Sequence, residues 1–192
     1  SVKSANTDGI VILCKKHNVE RVKDAVREFE LITIFTMEYT EYRALYSINV
    51  NNYLAIKPDG KVKGKGQFAI GGLAKNPTNT ISVKAAIAYL TNKTPIKQTV
   101  LQCQDIRDFV TLRTVKGGAV KDGQFIGKSI RWYHSTSTMT SIHYQTNNNK
   151  VPKSDGAKPI MNYPDSLPID IDYQFYIQEA KNIIKSTGVH HA

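Results

Sequence analysis

The chain has 192 residues, of which 41% are hydrophobic and 22% charged, and a formal net charge of +10. That length and apolar content suffice for a buried core and for one large or two small domains. No apolar stretch approaches the length that crosses a bilayer, and no charged flank precedes an apolar segment near the start, so neither a membrane span nor a signal peptide is expected. Cys14 and Cys103 are far apart in sequence and read as two buried thiols of a reducing compartment rather than a disulfide framework. The charge is unevenly placed: residues 61–160 hold sixteen Lys/Arg against four Asp/Glu, whereas residues 1–60 balance at eight of each. A basic excess confined to a segment that also patterns as folded is the electrostatic footprint of a phosphate-binding surface.

In chain order, Ser4-Ala5-Asn6-Thr7-Asp8-Gly9-Ile10 leads into the apolar run Val11-Ile12-Leu13 and puts one carboxylate on a tight turn between two short extended stretches. Mg²⁺ takes one or two carboxylates plus substrate phosphates, so a single Asp presented this way fits half of a Mg²⁺ site; the same tripeptide Thr7-Asp8-Gly9 also fits a plain turn. Asn18 then caps a helix expected over 19–30, with Val19, Val22, Val26 and Phe29 at helical spacing. Residues 31–39 and 42–50 are rich in β-branched and aromatic side chains and read as strands. The sum is a strand, helix, strand, strand unit with the helix lying on an antiparallel sheet.

Residues 52–57 and 61–68 flank Pro58-Asp59-Gly60, where Pro presets φ and Gly accepts positive φ, so a β-hairpin is expected. Its second arm alternates Lys61, Lys63 and Lys65 with Val62, Gly64 and Gly66, placing three ammonium groups on one face. The composition shifts near Gly71-Gly72, which sets the expected domains at 1–70 and 71–192. Beyond it, Val83, Ala86, Ile87 and Leu90 mark one helix, and Thr94-Pro95 opens a second through about residue 104. Residues 109–145 return to strand character around a loop at 116–123, and 146–170 reads as irregular. Asp172 caps a last helix with an apolar stripe of Tyr173, Tyr176, Ala180, Ile183 and Ile184, ended by Gly188. The fold class expected is α+β: an antiparallel sheet with a covering helix and a basic hairpin, followed by a mixed helical and β domain.

These pieces, in this order, resemble the C-terminal third of family B DNA polymerases, especially the tailed-phage branch. The turn at Asn6-Thr7-Asp8 stands where that family has its palm metal motif Asp-Thr-Asp. Asn51-Asn52-Tyr53 stands where most members have Lys-Lys-x-Tyr against the primer's minor groove. The likeness continues through Lys61-Val62-Lys63-Gly64-Lys65-Gly66, Arg113-Thr114-Val115-Lys116-Gly117-Gly118-Ala119, Gly127-Lys128-Ser129-Ile130-Arg131-Trp132-Tyr133 and Ile171-Asp172-Tyr173-Gln174-Phe175-Tyr176-Ile177. It implies a distal palm over 1–70 and a thumb over 71–192. Asp8 inherits the role of catalytic metal ligand in a two-ion Mg²⁺ site, and Asn6 inherits only the place of the first acid. The implied DNA contacts are Asn51, Tyr53, Lys61, Lys63, Lys65, Lys116, Lys121, Lys128 and Arg131.

Phosphoryl transfer needs carboxylates from at least two places to hold its metal pair, and this chain supplies one. The resemblance therefore implies a chain incomplete as a catalyst. Its partners would be primer-template DNA, a deoxynucleoside triphosphate in the complete enzyme, and an upstream portion with exonuclease, palm and fingers, in cis or as a split subunit. The setting it implies is the cytoplasm of an infected bacterial cell. His17, His134 and His143 lack partners at metal-ligand spacing, and no GxSxG, Walker or HExxH sequence occurs. The loop around Lys116-Gly117-Gly118, with Lys121, is a candidate for one DNA phosphate. Arg131-Trp132-Tyr133 is a candidate for stacking, with Trp132 equally suited to the core. The alternative to a polymerase portion is a non-catalytic, sequence-independent DNA-binding module in which Asp8 is only a turn residue.

Overall fold

The computed structural model describes residues 1–6, 9–70 and 77–189, a mixed α+β chain with antiparallel sheets and four α-helices among those residues. The chain divides into two compact units, 1–66 and 67–192, a few residues ahead of the Gly71-Gly72 composition shift. Among the described residues, no helix is long and apolar enough to cross a membrane.

In the first unit, β1 (Val2–Asn6) and β2 (Gly9–Ile12) form an antiparallel ribbon with Asn6 opposite Gly9. Its far end is tied by the Ser1 ammonium, which donates to the Leu13 carbonyl at 2.7 Å. Helix α1 (Val19–Thr33) follows a 3-10 turn at Lys16–Asn18. Asn18 stands at its N-cap position but makes no side-chain cap bond. The helix runs three residues beyond the expected end. Leu31-Ile32-Thr33, which reads as strand by composition, is absorbed into the last turn, where the Thr33 hydroxyl donates to the Phe29 carbonyl at 2.7 Å. Ile34 then stops the helix in the left-handed region, φ 62°, its N–H on the Glu30 carbonyl, and the Glu30 carboxylate accepts from the Met37 N–H at 2.6 Å. Residues 34–43 consequently form no strand. No α1 residue is buried, so the expected sheet-covering role is not what this helix performs within the described residues. Glu20, Lys23, Asp24 and Arg27 pair along its surface instead.

Strands β3 (Ala44–Asn49), β4 (Asn52–Ile56) and β5 (Val62–Lys65) make a three-stranded antiparallel sheet in that order. The expected hairpin is present: the Lys57 N–H donates to the Lys61 carbonyl at 2.8 Å across Pro58-Asp59-Gly60, Gly60 has φ 83°, and Asp59 accepts from the Lys61 N–H at 3.0 Å.

The second unit joins a three-helix cluster to a four-stranded sheet. Helices α2 (Thr80–Asn92), α3 (Ile96–Gln102) and α4 (Tyr173–Lys185) pack on one another. The buried side of α2 is Ile81, Ser82, Ala85, Ala86 and Leu90 rather than one centred on Val83 and Ile87. The reason is the Ser82 hydroxyl, which donates to the Tyr176 carbonyl of α4 at 2.9 Å and turns a polar residue inward. Asp172 caps α4 as expected, accepting from the Phe175 N–H at 3.1 Å. Tyr176 is the hub: its hydroxyl donates to the Phe109 carbonyl and accepts from the His134 N–H, both at 2.8 Å, and Phe109 meets its ring edge-on.

The sheet has the order β8-β6-β7-β9, with β6 (Thr111–Lys121), β7 (Gln124–His134), β8 (His143–Tyr144) and β9 (Ala157–Pro159). Its core gathers Val115, Ala119, Ile130, Trp132, Ile142, Val151 and Ala157. The expected loop over 116–123 shrinks to a tight turn at Asp122-Gly123, both with positive φ, because β6 continues through a bulge to Lys121.

Candidate nucleic-acid interface

Register places the lysines of the first unit. Tyr53 pairs with Lys65, Ala55 with Lys63, and Lys57 with Lys61 across the turn. Directly opposed residues of an antiparallel pair project to the same side, as do residues two apart. One face of the β4–β5 hairpin therefore carries Tyr53, Ala55, Lys57, Lys61, Lys63 and Lys65, with the small Ala55 fully buried among them, and Leu54 and Ile56 on the other side are buried as well. Tyr53 is half-buried, and Lys61, Lys63 and Lys65 are exposed. Lys61 holds Asp59 at 3.3 Å, and that contact lies at an exposed turn where solvent weakens it. Lys63 and Lys65 make no salt bridge among the described residues.

The β3–β4 turn is brought against the end of the same arm. Asn49 accepts from the Asn51 N–H at 2.9 Å and from the Asn52 side chain at 3.0 Å. Gly66, with φ 65°, lies so close that an added Cβ would collide with the Asn51 carbonyl and the Asn52 side chain. Asn51, Tyr53 and Lys65 are thereby gathered at one end of one sheet.

In the second unit, Thr114 pairs with Ser129 and Ala119 with Gly127, so residues 115–118 of β6 stand against Lys128 alone. Gly117 and Gly118 absorb this bulge with φ 83° and 94°. Lys116 and Lys128 flank it, exposed and without salt bridges among the described residues. Arg131 is half-buried on β7, where its carbonyl accepts from the Ile160 N–H at 2.9 Å.

Lys121 departs from its expected use. It is 7% exposed, and its ammonium donates to the Thr138 hydroxyl and to the carbonyl and hydroxyl of Thr140. Burial pushes its pKa down. Lys121 fastens the 138–140 segment to the hairpin and offers no free ammonium to a phosphate. Trp132, 1% exposed, belongs to the sheet core rather than to a stacking surface. Cys14 and Cys103 are free thiols, half-buried rather than buried.

The metal expectation rests on residues of which little is described. Asp8 lies outside the described residues, and Asn6 is placed only through its backbone pairing with Gly9. Among the described residues, no group of three or more His, Cys, Asp or Glu side chains comes together to hold a metal ion. His134 is a core histidine: its ring stacks on Phe175 at 3.4 Å and its Nδ1 lies 3.0 Å from the Asp155 carbonyl. His17 sits in the exposed turn before α1 and His143 half-buried on β8.

One polar cluster carried no sequence signal. Asp170 accepts from the hydroxyls of Tyr133, Ser135 and Ser137 and from the Lys158 ammonium at 2.6–2.8 Å. Burial acts to raise its pKa, but Lys158 and the three hydroxyls outweigh that and hold the carboxyl far below the ordinary carboxylate range. These partners come from β7, β9 and the chain between, so only the folded strand order assembles them. The cluster pins the irregular 136–170 segment to the sheet and uses up its own charges.

No protein-family model matches the chain, and no curated protein matches it.

Proposed function

We propose that this chain is the distal palm and thumb portion of a family B-type DNA polymerase that grips primer-template DNA. The observation that carries the DNA-binding part is the β4–β5 register, which sets Tyr53 beside Lys65 and puts Lys61 and Lys63 on the same face. A row of ammonium groups on one hairpin, two of them without anionic partners among the described residues, suits a phosphate backbone, and the adjacent aromatic and amide side chains suit a groove edge. The second unit has cationic candidates of its own in Lys116, Lys128 and Arg131. The polymerase part rests on the order of motifs in the sequence. In that reading Asp8 supplies one carboxylate toward a Mg²⁺ pair that would activate the primer hydroxyl and neutralise the triphosphate, and the remaining ligands belong to the upstream portion.

The test has two arms. Affinity for duplex DNA, measured by fluorescence anisotropy at about 50 and 200 mM salt, is expected to fall by orders of magnitude and to be indifferent to sequence; equal affinities overturn the DNA-binding reading. Combined with the upstream portion, the chain is expected to support template-directed primer extension, and Asp8→Asn to abolish extension while leaving DNA binding nearly unchanged. DNA binding with undiminished extension by Asp8→Asn refutes the metal assignment and leaves the sequence-independent binding module.

A further inference from the structure

The tip of the β6–β7 hairpin carries an aromatic ring that the core beneath it does not use. Phe125 is 56% exposed and stands opposite Val120. One side of its ring lies against Gly118, where an added Cβ would collide with ring atoms Cε2 and Cζ. Gly118, at φ 94°, therefore gives the ring a flat backbone seat and leaves the outer side to solvent. The two exposed lysines at the bulge, Lys116 and Lys128, are on the same pair of strands. The hairpin's one carboxylate, Asp122, is at the turn, 3.9 Å from the Lys121 ammonium.

We propose that this tip is a stacking site for an unpaired base of a nucleic-acid strand, with the Phe125 ring as the platform and Lys116 and Lys128 holding the adjoining phosphates. Every base has a π-face, so an aromatic ring beside cations binds single strands with little regard to sequence. A ring already seated loses little rotamer freedom on binding, which favours this residue over a mobile surface aromatic. A base within a duplex is stacked on its neighbours and does not present its face, so the tip selects unpaired nucleotides. This inference rests on the cationic surface proposed above and adds a base contact to it.

The experiment uses the intact chain with a short oligo-dT and an abasic oligomer of equal length. Phe125→Trp puts a fluorophore at the tip, while Trp132 stays buried and serves as internal reference. Oligo-dT is expected to quench the new emission, and the abasic oligomer to leave it. Phe125→Ala is expected to weaken oligo-dT binding roughly 5- to 100-fold, with abasic binding unchanged, and Phe125→Tyr to stay near the parent. If Phe125→Ala lowers both affinities equally or neither, stacking is refuted and the phosphate surface stands. If the parent binds neither oligomer, the phosphate surface fails and the stacking site with it.

Discussion

Gly66 has a backbone conformation and a neighbourhood that together admit no side chain. At φ 65° any L-residue with a β-carbon is strained, and the space that carbon would fill is held by Asn51 and Asn52. Gly66→Ala is expected to cost about 1 kcal/mol or more, read as a lower denaturant midpoint, and to weaken DNA binding because the β3–β4 turn moves away from Lys65. Lys63 and Lys65 differ, since their ammonium groups are exposed and, in the proposed interface, would add affinity by displacing counterions. Replacing both by Ala is expected to leave the unfolding midpoint within about 0.5 kcal/mol of the parent. The slope of log affinity against log salt should become shallower by about 1.8 for two lost phosphate contacts. An unchanged slope assigns these lysines to solvent and overturns the interface.

Helix α4 was legible because its signals are local. Asp172 precedes an apolar stripe of period 3.6, Gly188 follows it, and the fold uses both ends as the pattern implies. Asp172→Ala removes the acceptor for the Phe175 N–H and is expected to cost about 1 kcal/mol, measured by chemical denaturation. The Pro58-Asp59-Gly60 hairpin was legible for the same reason: three turn residues and an alternating arm specify register without help from distant chain. The β6–β7 hairpin was only partly legible. Its bulge puts four residues opposite one, which breaks the alternation on which strand reading depends, and the glycines that enable the bulge resemble a loop. Leu31-Ile32-Thr33 misled in the other direction, since their composition favours strand while helix propagation from the twelve preceding helical residues carries them. Lys121 illustrates the limit for the site itself. Its charge is visible in sequence, but its burial depends on Thr138 and Thr140, which only the folded sheet brings to it.

Acid should loosen the second unit in two stages. The first belongs to His134, whose folded pKa is pushed below the usual imidazole value by burial, only partly offset by its bond to the Asp155 carbonyl. Its Nε2 is buried without a partner, so a proton there is a buried, unpaired charge. Above pH about 6.5 the imidazole is neutral in both folded and unfolded states and contributes no pH dependence. As pH falls below that value the unfolded state takes up a proton that the folded state resists, so stability declines. The second stage belongs to Asp170, whose depressed pKa stabilises the fold above about pH 4 and releases that stabilisation as pH drops further. Thermal melts are expected to show a first decline setting in below about pH 6.5 that His134→Gln removes, and a later decline that Asp170→Asn removes. Duplex DNA should bind the folded chain as well at pH 5.5 as at pH 7.5. At a DNA concentration near 100 times Kd, mass action adds up to about 2.7 kcal/mol to the folded state, less whatever the equally cationic unfolded chain binds. DNA is therefore expected to raise the melting temperature by a similar amount on both sides of the His134 transition. A DNA effect that vanishes below pH 6 makes His134 part of the interface and overturns its assignment to the core.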